Sequence, residues 1–300
     1  VSLLDMAFPE SSDVNAKKIV GSVTDAGILE KTLADLPDTI FYLASVVSGE
    51  AEVDFSKGWD VNIHAFWSFL AQIREKYLKS DGQYRPKIIF TSSIAVFGSP
   101  FPNKITDDFL TAPRTSYGAQ KACCELMLND FIRKGFCEGL AIRLPTICVR
   151  PGKPNLAASS FFSGIIREPL NGLKANLPVS TDVRHWHASP RSAVRFLRHA
   201  ENLNRNSLTF NGALNMPGLS CTVEEQIEAR ILYENCPLCE SKNFSKSVIG
   251  DSSKHALYNP KIPPMMQWMN CNDCEHQFIN GYLTDEALEA IFTKTFEYLN

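Results

Sequence analysis

The sequence predicts an α/β fold built on a parallel sheet, and two observations lead to this prediction. Short apolar runs typical of buried strands alternate, through the first two-thirds of the chain, with amphipathic segments long enough to form helices. Strands and helices that alternate in this way form βαβ units, which place the strands side by side in one parallel sheet. The composition is that of an ordinary globular protein, with 44% hydrophobic and 21% charged residues.

The predicted elements follow from local patterns. Strand-like runs occur at residues 1–5, 18–20, 39–44, 87–92, 140–144 and 208–216. Helical periodicity occurs at residues 25–36, 59–78, 117–134 and 194–202. This order favours Rossmann-like, doubly wound packing, in which ligands bind at the carboxyl ends of the strands. Residues 151–191 lose periodicity and contain several Pro, Gly and Ser, so irregular substrate-binding elements are expected there.

Charge and hydropathy argue against two classes of partner. A net charge of −3 gives no reason to expect nucleic acid or a membrane surface. No apolar run reaches the roughly 20 residues of a transmembrane helix, and the N-terminal residues lack the features of a signal peptide. Five of the nine cysteines are scattered like reduced, packed thiols. This usage predicts a cytoplasmic protein.

A tyrosine and a lysine stand four residues apart in SYGAQK (116–121), where a helix is predicted to begin. Residues four apart share one face of a helix. Ser93 ends the preceding predicted strand, so its hydroxyl and that of Tyr117 should meet at one edge of the sheet. A nearby ammonium lowers the pKa of a phenol, so Tyr117 beside Lys121 can act as a base while Ser93 holds the substrate oxygen. The alternative is a solvated Tyr/Lys pair on the surface.

Three motifs in this region resemble the extended short-chain dehydrogenase/reductase family, also called the NAD-dependent epimerase/dehydratase family. They are TSSIAVFG (91–98), SYGAQK (116–121) and RLPTICVRPG (143–152). Two longer stretches, ASVVSGEAEVDF (44–55) and RPGKPNLAASSFFSGIIREPLNG (150–172), resemble its D-erythronate dehydrogenase branch. The resemblance implies an oxidoreductase that transfers hydride from a secondary hydroxyl of a small sugar acid to NAD. A nucleotide-sugar epimerase or dehydratase and a non-catalytic scaffold remain alternatives.

The resemblance also implies roles for single residues. Ser93 resembles the catalytic serine, Tyr117 the proton acceptor, and Lys121 the residue that lowers the pKa of Tyr117 and holds the nicotinamide ribose. Asn62 resembles the helix asparagine that supports the proton path, although the Gly-Thr pair that usually follows it is replaced here by Ala65-Phe66. The further cofactor contacts implied are Asp5, Leu43, Ala44, Ser92, Pro145 and Thr146.

The glycine loop that binds phosphates in such folds is absent from this sequence. No two glycines are two or three residues apart, so neither G-x-G-x-x-G nor G-x-x-G-x-x-G occurs. Asp5 ends what resembles the second strand, where a carboxylate accepts hydrogen bonds from the adenosine ribose and favours NAD over NADP. We therefore expect an N-terminally truncated copy that lacks its first, central strand and binds NAD poorly.

A sugar-acid substrate requires a cation for its carboxylate, ideally a bidentate arginine. Arg184 is the first candidate, followed by Arg167 and Arg191, and each also fits an ordinary surface or structural arginine. The nearby His185 and His187 have no carboxylate or cysteine beside them in the sequence, so no metal is predicted there. The predicted helices 59–78 and 117–134 are the expected face of a homodimer, since members of the resembled family often pair this way.

Four cysteines near the C-terminus form two Cys-x-x-Cys pairs, Cys236 with Cys239 and Cys271 with Cys274. Two such pairs supply the tetrahedral four-sulfur site that zinc prefers, and this set leaves no open position for catalysis. Such a small module has little core of its own, so the metal would stabilise its fold.

Two stretches around these cysteines, CPLCESKNF (236–244) and MNCNDCEHQFINGYLTDEALEAIF (269–292), resemble the zinc-ribbon leader of SAM-dependent methyltransferases. We therefore expect an NAD-binding domain over residues 1–232 and a zinc-ribbon module over 233–300, with no methyl transfer by this chain. A true fusion and a gene model that joins two fragments both fit this arrangement.

Overall fold

The computed structural model describes most of the chain. The described residues are 1–9, 15–150, 155–171, 173–203, 212–227, 230–231, 236, 239–251, 265–275, 277–279 and 282–283. Contacts divide the chain into two compact units, one of Val1–Ser160 with His187–Leu219 and one of Phe161–Trp186 with Ser220–Asn300. The expected domain boundary between residues 232 and 233 stays a prediction.

Strands and helices alternate in the first two-thirds of the chain. The strands are β1 (Ser2–Asp5), β2 (Lys17–Val20), β3 (Thr39–Tyr42), β4 (Lys87–Ser93), β5 (Glu138–Leu144), β6 (Thr146–Ile147), β7 (Arg184–Ala188), β8 (Ala213–Asn215), β9 (Leu219–Thr222), β10 (Arg230–Ile231), β11 (Phe244–Asp251), β12 (Met265–Cys271), β13 (Gln277–Ile279) and β14 (Tyr282–Leu283). The helices are α1 (Ala26–Thr32), α2 (Ser48–Val53), α3 (Phe55–Trp59), α4 (Ala65–Lys79), α5 (Ser116–Arg133), α6 (Ser160–Leu170), α7 (Pro190–Asn202) and α8 (Val223–Ile227). A π-helical turn, Asp60–His64, joins α3 to α4, and a 3₁₀ turn, Ile94–Val96, follows β4.

A four-stranded parallel sheet in the order β3-β4-β5-β8 forms the centre of the first unit. Strand β4 is buried at every position from Ile88 to Ser92, as expected for a parallel strand whose two faces are both covered. At its carboxyl end Ser93 lies opposite Leu144 of β5. The predicted Rossmann-like parallel sheet is confirmed.

Helices cover both faces of this sheet. On one face α4 and α5 pack on β3 and β4 through a cluster that includes Phe66, Phe90 and Leu128. On the other face α7 packs on β4 and β5, with Ala193 and Ala200 in a second cluster. The winding is therefore double, with one hydrophobic cluster on each side of the strands.

Strands β1 and β2 form a separate parallel pair in the same unit, with Ser2 opposite Lys17 and Asp5 opposite Val20. Leu4 of β1 and Ile40 of β3 pack against the same hydrophobic cluster. Within the described ranges, no strand pairs with the second edge of β1 or with the second edge of β3.

Three predicted elements differ from the structure. The helix expected over 59–78 is interrupted at its start by the π-helical turn, because an extra residue enters the turn that contains Asn62. The expectation that residues 151–191 are irregular is wrong for α6 and β7. Of the strand predicted over 208–216, only Ala213–Asn215 is a strand, and residues 208–211 lie outside the described residues.

The second unit contains α6, α8 and the antiparallel strands β11, β12 and β13. The ring of Phe162 stacks on His185, with 4.5 Å between centroids, and burial lowers the pKa of His185. No helix in the described part of the chain combines the length and apolar character needed to span a membrane.

Candidate active site

Two acceptors fix the first turn of α5, which carries Tyr117. The hydroxyl of Thr115 accepts a hydrogen bond from the backbone N–H of Gly118 at 3.1 Å. The carboxylate of Glu52, from α2, accepts from the N–H of Ser116 at 2.5 Å. Since the first N–H groups of a helix have no partner within it, these contacts stabilise the start of α5 and so position Tyr117.

Gly118 allows this turn to approach the end of β4. A Cβ atom on Gly118 would lie 2.2 Å from the carbonyl oxygen of Ala95, which belongs to the 3₁₀ turn after Ser93. Any larger residue would push α5 away from that turn. A glycine is therefore needed after Tyr117 for steric reasons, because the absence of a side chain there lets the tyrosine come close to Ser93.

The hydroxyl of Tyr117 lies near the side chains of Ser93 and Ser45. Burial raises the pKa of Tyr117 above its ordinary value, and the nearby hydroxyls of Ser93 and Ser45 oppose the rise because they favour the phenolate. The Ser93 oxygen also accepts from the N–H of Ala95 at 3.1 Å. The structure thus brings together the predicted serine and tyrosine at the carboxyl edge of the sheet.

Lys121 lies under the ring of Tyr117, with 5.6 Å from its Nζ to the ring centroid. Its ammonium donates to the carbonyl oxygen of Thr91 at 2.8 Å and stands 4.8 Å from the ring centroid of Phe90. The residue is only 2% exposed, and this burial lowers the pKa of Lys121 to about 8. One of the three ammonium donors is used by Thr91.

Asn62 lies buried in the π-helical turn, a distortion that is frequent at functional sites. Its Oδ1 accepts from the N–H of Val46 at 2.8 Å and from the Ser45 hydroxyl at 3.0 Å. Its Nδ2 donates to the carbonyl of Val46 at 3.2 Å and to Gln120 Oε1 at 2.7 Å. Asn62 thereby holds the loop that carries Ser45.

The remaining predicted cofactor contacts differ in how exposed their side chains are. Asp5 is exposed at the end of β1, and Leu43, after β3, is 55% exposed. Ala44 packs against the core, and Pro145 and Thr146 are buried where β5 leads into β6. Ser92 is also buried, and its hydroxyl donates to Glu125 at 2.5 Å.

The sequence reasoning missed a buried ion pair beside this site. Arg143 of β5 donates to Glu125 of α5 twice, from Nη2 to Oε2 at 2.9 Å and from Nε to Oε1 at 3.0 Å. Both side chains are about 5% exposed or less. The sequence contains two indications of this pair. Glu125 follows Lys121 by one turn on the same helix face. An arginine within a buried strand requires a partner.

Ser45 was not predicted as a site residue, although the rule about the carboxyl ends of parallel strands, which identified Ser93, also applies to it. It directly follows the strand predicted over 39–44, and side chains at the carboxyl ends of neighbouring parallel strands meet at one edge.

Two of the three predicted substrate arginines already have acceptors. Arg184, half exposed, donates to the carbonyl oxygen of Ser220 and to Glu225, both at 3.0 Å. Arg167 donates to Glu168 at 2.5 Å. Arg191 is exposed at the first turn of α7.

The four C-terminal cysteines converge on one point. Their Sγ atoms all lie within 4.8 Å of one another, with 3.7 Å from Cys236 to Cys274 and 3.6 Å from Cys239 to Cys271. Thiolates bound at 2.3 Å to a tetrahedral zinc ion stand about 3.8 Å apart, so the donor set and its spacing fit zinc.

The two halves of this cluster repeat one geometry. The backbone N–H of the residue after the second cysteine of each pair donates to the carbonyl oxygen of the first, at 2.9 Å in one pair and 3.0 Å in the other. These following residues, Glu240 and Glu275, both have φ of 59°. Asp273 joins the halves by accepting hydrogen bonds from Ser241 and Asn243.

Comparison with known protein families shows that residues 4–192 match the NAD dependent epimerase/dehydratase family. The chain belongs to this family. The resemblance drawn from the motifs is confirmed, and with it the expectation of an enzyme from an NAD-dependent family.

Curated relatives include two D-erythronate dehydrogenases. That of Cupriavidus necator is 44% identical over 230 residues, which cover 76% of this chain and 69% of the relative. That of Haemophilus influenzae is 43% identical over 201 residues, which cover 66% of this chain and 61% of the relative. The chain therefore spans roughly two thirds of the length of these relatives.

Among solved structures, a nucleoside-diphosphate-sugar epimerase from Agrobacterium tumefaciens is similar, with a TM-score of 0.70 and 52% identity over 76% of this chain and 67% of that one. A monomeric L-threonine 3-dehydrogenase from a metagenome has a TM-score of 0.67 at 20% identity, over 75% of this chain and 71% of that one, and shows a shared fold.

Proposed function

We propose that this protein is a dehydrogenase that oxidises a secondary hydroxyl of a small sugar acid, such as D-erythronate, with NAD as the hydride acceptor. The observation that carries the proposal is the position of Tyr117, whose hydroxyl lies near Ser93 and whose ring lies 5.6 Å from the buried ammonium of Lys121. The identity of 44% with a D-erythronate dehydrogenase supports the substrate class.

The nicotinamide end of NAD fits these residues. Lys121 has donors beyond the one used by Thr91, and a ribose hydroxyl is a suitable acceptor for them. Leu43 offers an exposed apolar side chain at the end of β3. Asp5, Ala44, Ser92, Pro145 and Thr146 remain proposed cofactor contacts. When bound, NAD accepts the hydride released from the substrate carbon.

The side chains have separate parts in the proposed reaction. Tyr117, as the phenolate, removes the proton of the substrate hydroxyl while Ser93 hydrogen-bonds the same oxygen. Lys121 favours the phenolate by its positive charge, and Asn62 fixes the loop after β3 through both polar groups of Val46. We propose Arg184 as the partner of the substrate carboxylate, with Arg167 and Arg191 as alternatives.

A second candidate is a nucleotide-sugar epimerase, because the similar structure from Agrobacterium tumefaciens carries that description. The experiment is to assay the full-length protein with NAD, measuring NADH at 340 nm with D-erythronate and product sugars with UDP- and dTDP-sugars. Turnover of D-erythronate alone supports the proposal. Conversion of a nucleotide sugar without reaction of D-erythronate would replace it.

We propose that Cys236, Cys239, Cys271 and Cys274 bind one structural zinc ion. Elemental analysis of the full chain should find one zinc per molecule, and Cys271→Ser should lose it. Cys123→Ser, which changes an exposed cysteine outside the set, should keep it. Zinc retained in Cys271→Ser, or none in the unaltered protein, contradicts this assignment.

We also propose a cytoplasmic homodimer that pairs through α4 and α5. Trp67 on α4 is 54% exposed and Leu126 on α5 is 70% exposed, so two adjacent helices present large apolar side chains. Apolar surface of this kind is typical of protein interfaces.

A further inference from the structure

Gln120 directly precedes Lys121 on α5, and its side chain is fully buried. Its Oε1 accepts a hydrogen bond from Asn62 Nδ2 at 2.7 Å, a contact that joins α5 to the π-helical turn. Its Nε2 has no hydrogen-bond partner among the residues that the structure describes. The amide of Gln120 is therefore used on its acceptor side alone.

The unpaired Nε2 makes glutamine a destabilising residue at this position. A buried donor without an acceptor disfavours the folded state, whereas methionine has a similar length and no group that needs a hydrogen bond. Packing alone would therefore favour an apolar side chain. Glutamine supplies what methionine lacks, a neutral carbonyl oxygen at the end of a long side chain, and this oxygen is the atom that contacts Asn62.

The contact completes the hydrogen bonds of the Asn62 carboxamide. Oδ1 accepts from the N–H of Val46 at 2.8 Å and from the hydroxyl of Ser45 at 3.0 Å. Nδ2 carries two protons, of which one is donated to the carbonyl of Val46 at 3.2 Å and the other to Gln120. The contact with Gln120, at 2.7 Å, is the shorter of these two and the closer to ideal length.

A second contact from the same helix holds the backbone of Asn62. The thiol of Cys124, which is also buried and lies one turn after Gln120, donates to the carbonyl oxygen of Asn62 at 3.1 Å. The Gln120 amide is itself closely packed, since a Cβ atom on Gly58 of α3 would lie 2.8 Å from its Nε2. Helix α5 therefore binds both the side chain and the main chain of Asn62.

Asn62 in turn holds the loop after β3. It binds both polar groups of Val46, and Val46 is buried. The same loop begins with Leu43 and Ala44, which are proposed cofactor contacts. The helix that carries the proposed base is thus connected, through Gln120 and Asn62, to the loop proposed to contact NAD.

We propose that Gln120 is a positioning residue, whose carbonyl oxygen holds Asn62 and, through Asn62, the loop after β3 in the place required for NAD. This inference rests on the proposed function for the contact between that loop and NAD. The connection from Gln120 through Asn62 to Val46 can be tested without turnover.

The first measurement is the hydrogen exchange of single backbone amides in the full-length protein, followed by NMR. Gln120→Met keeps the length of the side chain and removes the acceptor, so the N–H of Val46, which donates to Asn62, should exchange about tenfold faster. The N–H of Ile142 in the buried strand β5 should exchange at its original rate. Gln120→Glu, which burial keeps protonated and neutral, retains an acceptor oxygen and should restore most of the protection of Val46.

Gln72→Met is the matched control. Gln72, on α4, also uses one end of its amide, since its Nε2 donates to the carbonyl of Ala26 at 3.0 Å while its Oε1 has no hydrogen-bond partner in the described part of the chain. This substitution should leave the exchange of Val46 unchanged. Unchanged exchange of Val46 in Gln120→Met, an equal increase in Gln72→Met, or an equal increase at Ile142 overturns the inference. If Gln120→Met does not fold, Gln120→Leu takes its place with the same expected result.

Binding of NADH, measured by its fluorescence with the full-length protein, tests the part that concerns the cofactor. Gln120→Met should raise the dissociation constant of NADH about five- to tenfold, and Gln72→Met should leave it unchanged. An unaltered affinity in Gln120→Met would show that Gln120 does not position the loop for NAD. Both expected changes in a protein that oxidises no sugar acid would leave the role of Gln120 standing and remove the proposed substrate.

Discussion

Lys121 holds its charge in an environment that disfavours charge. The ammonium is 2% exposed, lies against the rings of Phe90 and Tyr117, and has the carbonyl of Thr91 as its direct acceptor. Burial lowers the pKa of Lys121 to about 8 from an ordinary 10.5, which corresponds to a cost of about 3 kcal/mol for the charged form. The free energy cost arises because the cation is buried in order to stand next to a phenol that must ionise.

The pH dependence of stability tests this description of Lys121. Between pH 8 and 10.5 the unfolded chain binds the lysine proton and the folded protein does not, so this residue makes the free energy of unfolding rise with pH in that window. Below pH 8 the full penalty is present. Lys121→Met should lack this rise, and urea denaturation at pH 7, 8, 9 and 10 measures the difference. Parallel curves for the two proteins would show that the folded lysine has an ordinary pKa.

At the scale of elements, the start of α5 decides whether the site forms. Thr115 and Glu52 satisfy its first N–H groups, and Gly118 lets it approach the carbonyl of Ala95. The parallel register then places Ser93 of β4 at the same edge. The position of Tyr117 thus depends on contacts of backbone groups as much as on its own side chain.

Gly118→Ala should move the start of α5 away from the 3₁₀ turn that follows β4. The added methyl would stand 2.2 Å from the Ala95 oxygen, so α5 must move, with a loss of stability of about 1–3 kcal/mol and of most activity. Thermal denaturation and NADH formation measure the two effects. Gly27→Ala is the control, because a methyl there in the first turn of α1 meets only the Asp25 carboxylate, at 3.3 Å. Equal effects of the two substitutions would contradict the steric role of Gly118.

The sequence predicted the strands β1 to β5, the helices α1, α4, α5 and α7, and the meeting of Ser93 with Tyr117, because each follows from local periodicity and from one rule about parallel strands. It did not predict the π-helical turn around Asn62, since such a distortion depends on packing between helices. The ion pair of Glu125 and Arg143 was missed as well: the sequence indicates that Arg143 needs a partner, but it does not show which charge faces it in the core.

At the scale of the whole molecule, α4 and α5 expose large apolar side chains side by side. Trp67 packs edge-on against Phe131, with 5.9 Å between ring centroids, yet stays 54% exposed. The proposed homodimer would cover this surface.

Leu126→Glu should convert a dimer into monomers, because it places a charge on each copy at the centre of the proposed interface. Light scattering after size exclusion measures the mass. Leu110→Glu, at a leucine 82% exposed in a loop, should leave the mass unchanged. A monomeric unaltered protein at micromolar concentration, or a dimer of Leu126→Glu, rules out this interface.

In the proposed reaction, Tyr117 removes the substrate proton during hydride transfer to NAD. The most direct test compares the full-length protein with its Tyr117→Phe variant, which keeps the ring and deletes only the hydroxyl, in the oxidation of D-erythronate at saturating NAD. We expect kcat to fall by about 10²–10⁴-fold with KM nearly unchanged. A variant that retains the rate of the unaltered protein would contradict it.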